Sequence, residues 1–247
     1  VDALAARGLN VVLLARRQSV LEEVAGSIRD RHGVETRVLV IDLAAPDASA
    51  RLLEGVTGLE VGLLVYCARA DPDYRPFLAS EVGVAEAMVH RNCTVPMQVC
   101  HALAGPMVER GRGGIVIFGS GAGFAGAPNM VAYAASKAFD MVFAEALWGE
   151  LKPRGVDVLG LILGETDTPA LRRLRHDRGL AGPDEPVRSA STVEEVVEDA
   201  FAHLDKGPTR LANKQMRWGM RLFFPFSRNT IVRFMSKASV RTMGADS

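Results

Sequence analysis

Three side chains, Ser120, Tyr133 and Lys137, combine residue types and spacing suited to proton transfer. An apolar run, Ile115-Val116-Ile117-Phe118-Gly119, ends at the serine, and a glycine-rich loop follows. Tyr133-Ala134-Ala135-Ser136-Lys137 then opens a helix-forming stretch. Residues four apart on a helix share a face, so the tyrosine and lysine side chains can interact. A free phenol ionises near pH ~10 and is a poor acid–base catalyst at neutral pH. A lysine ammonium beside it favours the phenolate and brings it toward useful proton transfer. A serine at the strand end can then hold the substrate oxygen that the tyrosine protonates or deprotonates. A Tyr-x-x-x-Lys pair alone is a common surface feature. The order strand, terminal serine, loop and helix start is what sets this pair apart.

The elements that must position these residues follow from periodicity. Apolar strand-like runs at Asn10–Ala15, Thr36–Asp42, Gly62–Ala68, Gly114–Gly119 and Val156–Leu163 alternate with helical patterns. The helices are expected over Ser19–His32, Asp47–Thr57, Val82–Arg110, Val131–Lys152 and Thr192–Asp205. Such alternation predicts an α/β fold with a doubly wound, Rossmann-like parallel sheet in a three-layer α/β/α arrangement. Continuous apolar strands suit a sheet buried on both faces. Ligands of open parallel sheets bind beyond the carboxyl ends of the strands. Ser120, Arg16, Asp42 and Cys67-Ala68-Arg69 all fall at such ends. The opening residues, Val1 to Gly8, read as the back half of a helix. We therefore expect a truncated record that lacks a preceding strand and turn. Residues 1–205 form the expected single domain, and 206–247 a basic, aromatic extension.

Composition narrows the function classes. Lys plus Arg and Asp plus Glu each number 29, which gives no global reason to expect nucleic acid as a partner. Cys67, Cys93 and Cys100 lie in apolar surroundings and suit reduced core thiols of a cytoplasmic protein. His90, Cys93, Cys100 and His101 lie on one expected helix, broken by Pro96, and lack the paired short spacings of a zinc site. No metal site is expected. No stretch has transmembrane length, and the first residues do not resemble a signal peptide. Gly121-Ala122-Gly123-Phe124-Ala125-Gly126 matches the G-x-G-x-x-G dinucleotide pattern. In that motif the helix starts inside the glycine run, whereas here Pro128 and Asn129 intervene. The run is read instead as a flexible wall of the substrate site.

Together these residues make most of the chain resemble the short-chain dehydrogenase/reductase family. Ser120, Tyr133 and Lys137 stand at the family's catalytic spacing. Asn92, in His90-Arg91-Asn92-Cys93-Thr94-Val95-Pro96, falls where the family carries a fourth catalytic residue. The resemblance implies that Tyr133 is the general acid/base. Lys137 would bind the nicotinamide ribose and lower the pKa of the tyrosine. Ser120 would orient the carbonyl or hydroxyl, and Asn92 would support a water-mediated proton relay or simply kink the helix ahead of Pro96. Arginine near the adenosine ribose accommodates a 2′-phosphate, and a carboxylate there favours a free hydroxyl. Ala15-Arg16-Arg17 with no acidic residue before Glu22 therefore favours NADP(H) over NAD(H), with Arg16 the phosphate partner and Arg17 open to a solvated turn. Asp42-Leu43 resembles the adenine-contacting pair, although Asp42 could equally cap the next helix. Ala68, after the third strand, belongs to the expected cofactor site. Thr168 matches the threonine near the nicotinamide amide, and could also cap a short helix over Pro169–Arg175.

Departures from the family pattern lie on the cofactor side. The glycine-rich turn is absent, Arg69 stands where a glycine is usual, and Leu163-Gly164 replaces Pro-Gly. The implied activity is an NADP(H)-dependent oxidoreductase interconverting a carbonyl and a secondary alcohol. An inert cofactor-binding or interaction protein of the same fold is the alternative. The charged segment Ala170–Ala190 corresponds to the family's variable substrate lid. The tail sets Arg210, Lys214, Arg217, Arg221 and Arg228 among Trp218, Leu222, Phe223 and Phe226. Such a pattern fits either a helix packing on the substrate pocket or a peripheral contact with an anionic membrane. It is compatible with a lipophilic substrate (steroid, retinoid or acyl chain). By family analogy the protein is a homodimer or homotetramer, with contacts through the helices over 82–110 and 131–152.

Overall fold

Continuous burial along the two long strands goes with helices that cover both sides of the sheet. In the computed structural model, which describes residues 1–67, 74–188, 190–223 and 226–243, β4 (Gly113–Ser120) and β5 (Val156–Leu163) lie at its centre. Successive strand residues face opposite ways. Ile115, Ile117, Val156 and Val158 meet helices α5 (Val95–Glu109) and α6 (Val131–Leu151) on one face. Val116, Leu159 and Leu161 meet α8 (Val193–His203) on the other. The strands are apolar on both sides because neither face sees water.

The remaining strands are β1 (Val11–Ala15), β2 (Thr36–Val40), β3 (Leu63–Tyr66) and β6 (Thr209–Leu211). Every pairing is parallel. The expected continuous sheet is divided, with β1-β2 in one ladder and β3-β4-β5-β6 in another. The two ladders share a core in which Leu14, Leu39 and Ile41 pack with Leu52 of α3 (Ala48–Gly55), Tyr66 and Val99. Helix α2 (Gln18–His32) and the short α1 (Asp2–Ala5) cover β1 through Leu21, Ala25, Ile28 and Ala5.

Two expectations are corrected here. The helix expected over Val82–Arg110 is α4 (Val82–Val89), a π-helical turn His90–Thr94, and α5. Its cause is local: Pro96 has no N–H to give the carbonyl of Asn92, and the Val95 N–H reaches back to His90 instead. The other correction is β6, a strand not foreseen, which lies inside the segment read as an extension and forms the edge of the larger sheet. Three residues are too short for a visible alternation. Helices α7 (Pro169–Asp177), α9 (Lys214–Phe223) and α10 (Arg228–Met243) complete the described elements.

The glycine run after β4 forms a 3₁₀ turn, Gly121–Phe124, and α6 begins only at Val131. Its amides therefore do not cap that helix, as a dinucleotide fingerprint requires. Gly123 has a packing role instead. A Cβ there would lie 2.6 Å from the backbone carbonyl carbon and oxygen of Lys137. Gly123→Ala must push the turn away from α6. It should cost about 1–3 kcal/mol of stability, read from the denaturant midpoint.

Candidate active site

The strand end and the helix start are joined through Lys137. Its ammonium is buried and donates to the Phe118 carbonyl of β4 at 2.9 Å and to Asp140 Oδ2 at 2.7 Å. Phe118 lies two residues before Ser120, so the lysine reaches the strand end from one turn further along α6. Ser120 is half-buried, and its Oγ accepts the Ala122 N–H at 3.2 Å. The Tyr133 ring lies in an apolar cluster with Met88, Ala127 and Met130. Tyr74 meets it edge-on, with centroids 6.5 Å apart. Among the described residues the Tyr133 hydroxyl has no hydrogen-bond partner, which leaves it for a ligand.

Asn92 is fully buried in the π turn, and its Nδ2 donates to Ser136 Oγ at 3.0 Å. Ser136 Oγ in turn donates to the Tyr133 carbonyl at 2.9 Å. Of the two sequence readings of Asn92, the structure shows the kink ahead of Pro96. The residue sits in the kink, and the kink ties it to the helix that carries Tyr133 and Lys137.

Asp140 and Ser136 belong to the site without having been foreseen. Asp140 is 2% exposed, and its Oδ1 has no partner among the described residues. Burial pushes its carboxyl up to about 6, although the Lys137 ammonium pulls the other way. The i, i+3 spacing from Lys137 was a readable signal, since it puts both side chains on one face. Tyr74 offered no such signal, because its approach depends on how a loop folds back. Burial also pushes the Cys93 thiol up to about 11 and the Cys100 thiol up to about 12, and raises the Tyr66 phenol further. Cys67 is exposed at the end of β3, not a core thiol as expected, because the strand stops one residue before it. Among the described residues no group of His, Cys, Asp or Glu is arranged to hold a metal ion.

On the cofactor side, Arg16 follows β1, is exposed, and has no partner among the described residues. Arg17 is the N-cap residue of α2. Asp42 Oδ1 accepts the Ala44 N–H at 2.9 Å and so shapes the turn after β2. The N-cap of α3 is Asp47, so Asp42 does not cap that helix. Leu43 packs on the shared core. Ala68 and Arg69 lie outside the described residues. Thr168 caps α7, its Oγ1 accepting the Leu171 N–H at 3.2 Å, and it retains its own O–H for donation. In the loop after β5, Glu165 Oε1 and Thr166 Oγ1 are buried without partners among the described residues. An ammonium has three donors, and Lys137 uses two on the protein. The unused donor, the two orphaned oxygens and the unpaired Arg16 guanidinium fit a ligand bearing hydroxyls, an amide and phosphate.

The lid and the tail close the same region. Arg172 clasps Asp167 through two hydrogen bonds of 2.8 and 2.7 Å and holds the Asp167 carboxyl below its ordinary range. Arg178 donates to the Tyr74 carbonyl at 3.0 Å and lies over its ring. Lid and Tyr133 therefore touch through Tyr74. From the tail, Met216 sits beside Gly121, and Arg228 donates to the Phe124 carbonyl at 3.4 Å. Trp218, Phe226 and Phe234 are exposed, and no helix among the described residues is long and apolar enough to cross a membrane.

Two measurements probe this network. Ser136→Ala strands the buried Asn92 amide and should cost about 1–3 kcal/mol in chemical denaturation. For Asp140, the folded carboxyl binds its proton more tightly than the unfolded one, at about 6 against 3.8. Its contribution is therefore most favourable below 3.8 and declines as pH rises to about 6. Unfolding of the natural protein and of Asp140→Asn across that window should show the natural protein losing up to about 3 kcal/mol relative to the variant.

Known proteins resemble this chain in sequence and in fold. The family model for short chain dehydrogenase matches residues 1–179. A 7beta-hydroxysteroid dehydrogenase of Clostridium sardiniense is 33% identical over 238 residues, covering 95% of this chain and 87% of that protein. A very-long-chain 3-oxoacyl-CoA reductase of Rattus norvegicus is 30% identical over 164 residues, covering 65% of this chain and 53% of that protein. Among solved structures, a 7beta-hydroxysteroid dehydrogenase superposes with a TM-score of 0.86 at 29% identity, covering 95% of this chain and 89% of that one. A short-chain dehydrogenase from Sphingobium yanoikuyae in complex with NADPH gives 0.76 at 26% identity, covering 89% and 85%.

Proposed function

This chain belongs to the short-chain dehydrogenase family, an oxidoreductase of CH–OH groups with a nicotinamide cofactor, and from that premise we propose a specific reaction. It interconverts a ketone and a secondary alcohol on a bulky lipophilic molecule of steroid type, with NADP(H) as the cofactor. The observation that carries this reading is the unpartnered Tyr133 hydroxyl, one helical turn from an ammonium pinned to β4. An apolar wall of Met88, Ala127, Met130 and Tyr74 suits a large hydrocarbon substrate, and the hydroxysteroid dehydrogenases among its relatives favour the same class.

In this reading Ser120 Oγ holds the substrate oxygen at the end of β4. Tyr133 gives that oxygen a proton during reduction and takes it back during oxidation. Lys137 keeps positive charge beside the phenol, and its remaining donor is available to ribose hydroxyls. The Asn92 carbonyl, released from the helix ladder by Pro96, offers an acceptor for a relay water. Arg16 supports the phosphorylated cofactor, since its guanidinium has no partner among the described residues and no carboxylate lies near it in sequence. Thr166 and Thr168 offer hydroxyls to the nicotinamide amide, and Asp42 and Leu43 flank the adenine. When bound, the nicotinamide supplies or accepts the hydride.

The test is turnover of the full-length protein with NADPH and a panel of steroid and other bulky ketones. Tyr133→Phe should lower kcat by roughly 10²–10⁴-fold. Activity that survives this change would sink the assignment. Arg16→Ala should raise the KM for NADPH by roughly ten- to a hundredfold and leave that for NADH nearly unchanged. An equal effect on both cofactors would remove the NADP(H) preference.

A further inference from the structure

Asp140 is a costly residue in its place. It is almost fully buried, one oxygen lies on the Lys137 ammonium, and the other has no partner among the described residues. Its neighbours one helical turn away on the same face, Ser136 and Ala144, are buried as well. A carboxylate does nothing for packing that an apolar side chain would not do more favourably. What it does provide is contact with a residue of the reaction.

The groups around Asp140 leave Lys137 as its ionic partner. On its own helix it faces Lys137. From the π turn it faces Cys93, from α5 Cys100, and from β3 Tyr66, whose hydroxyl donates to the Arg91 carbonyl at 2.5 Å. The two thiols and the Tyr66 phenol all stay protonated at neutral pH, held so by burial and by Asp140 itself. Arg91 is the other charge nearby, and its field is felt at Tyr66. Lysine is a flexible side chain with three equivalent donors. The Phe118 carbonyl and Asp140 take two of them and fix the direction of the third.

We propose that Asp140 is a positioning residue of the reaction: it aims Lys137 and cancels part of its charge, and so sets the pH at which Tyr133 transfers protons. The proposal rests on the reading of Tyr133 as the acid/base. Its sign follows from charge. With Asp140 ionised, the Lys137–Asp140 pair is close to neutral. With asparagine, the ammonium stands uncompensated and favours the phenolate. Alcohol oxidation needs the phenolate, so its rising limb moves to lower pH in Asp140→Asn, by about one pH unit. Below about pH 6 the natural carboxyl is itself protonated, and the two profiles converge. The amide oxygen of asparagine still accepts from Lys137, so this variant changes the charge and keeps the lysine's second acceptor. Asp140→Leu removes the acceptor, frees Lys137, and raises the cofactor KM severalfold.

The experiment compares pH profiles of kcat for the full-length protein, Asp140→Asn and Asp140→Glu, with Asp140→Ser as a second neutral variant should asparagine not fold. A direct measurement accompanies it: phenolate absorbance against pH in the absence of cofactor. The chain has three tyrosines, so subtracting the Tyr133→Phe spectrum isolates Tyr133. The expected result is a shift to lower pH in both measurements for the neutral variants, with Asp140→Glu close to the natural protein. Neutral variants that change stability but leave the limb and the absorbance midpoint in place would overturn the proposal and make Asp140 merely structural. If no ketone or alcohol is turned over by the natural protein, the proposed function fails, and the absorbance titration still decides the role of Asp140.

Discussion

A buried ammonium must find acceptors, and in this protein the acceptors of Lys137 come from two different elements. One is the Phe118 carbonyl of the central strand, the other the Asp140 carboxylate of its own helix. The first bond holds α6 against the end of β4, the strand that finishes at Ser120. The close approach of the Gly121–Phe124 turn to α6, possible because Gly123 has no side chain, belongs to the same contact. The buried link from Asn92 to Ser136 fastens the π turn to α6 from the other side. The geometry of the proposed site therefore follows from where one lysine can lose its water.

The site combines a tightly packed half with a more open one. Tyr133, Ser136, Lys137, Asp140 and Asn92 are all buried, and their polar atoms are largely bonded to one another. Arg16 and Asp42 stand exposed at the ends of β1 and β2, in a ladder that shares no hydrogen bonds with the larger sheet among the described residues. The buried half fixes proton-transfer geometry, where small displacements matter most. The open half offers charge and polar edges to a large ligand, a task that tolerates more freedom. The segment over 170–190 and the tail both meet the packed half, the first through Arg178 and Tyr74, the second through Met216 and Arg228.

Much of this was legible in the residues. The apolar runs marked five of the six described strands, with β5 recovered to the residue and β1 to within one. Tyr133 and Lys137 announced themselves by helical spacing and by the strand and serine ahead of them. The interruption of the helix over 82–110 was signalled by Pro96 but not its form, since a π turn depends on which carbonyl the next free N–H reaches. The strand β6 was missed because an edge strand of three residues has too little apolar period to see. Asp42 carried two readings, and the tertiary structure rejects one of them, because the helix begins later at Asp47.

By itself the sequence determined the kind of chemistry and the kind of fold. Residue types and short-range spacing are properties of one helix or one strand end, and local geometry makes them readable. Only the tertiary structure decided which groups Lys137 touches, that its charge is shared with a buried aspartate, and that Tyr74 lies between Arg178 and Tyr133. Those relations join residues from separate elements, and burial assigns their energies. A carboxylate at position 140 is ordinary on an exposed helix face. Surrounded by α5, the π turn and β3, with one oxygen on an ammonium and the other unpartnered among the described residues, it becomes, in the proposed function, a constraint on the reaction.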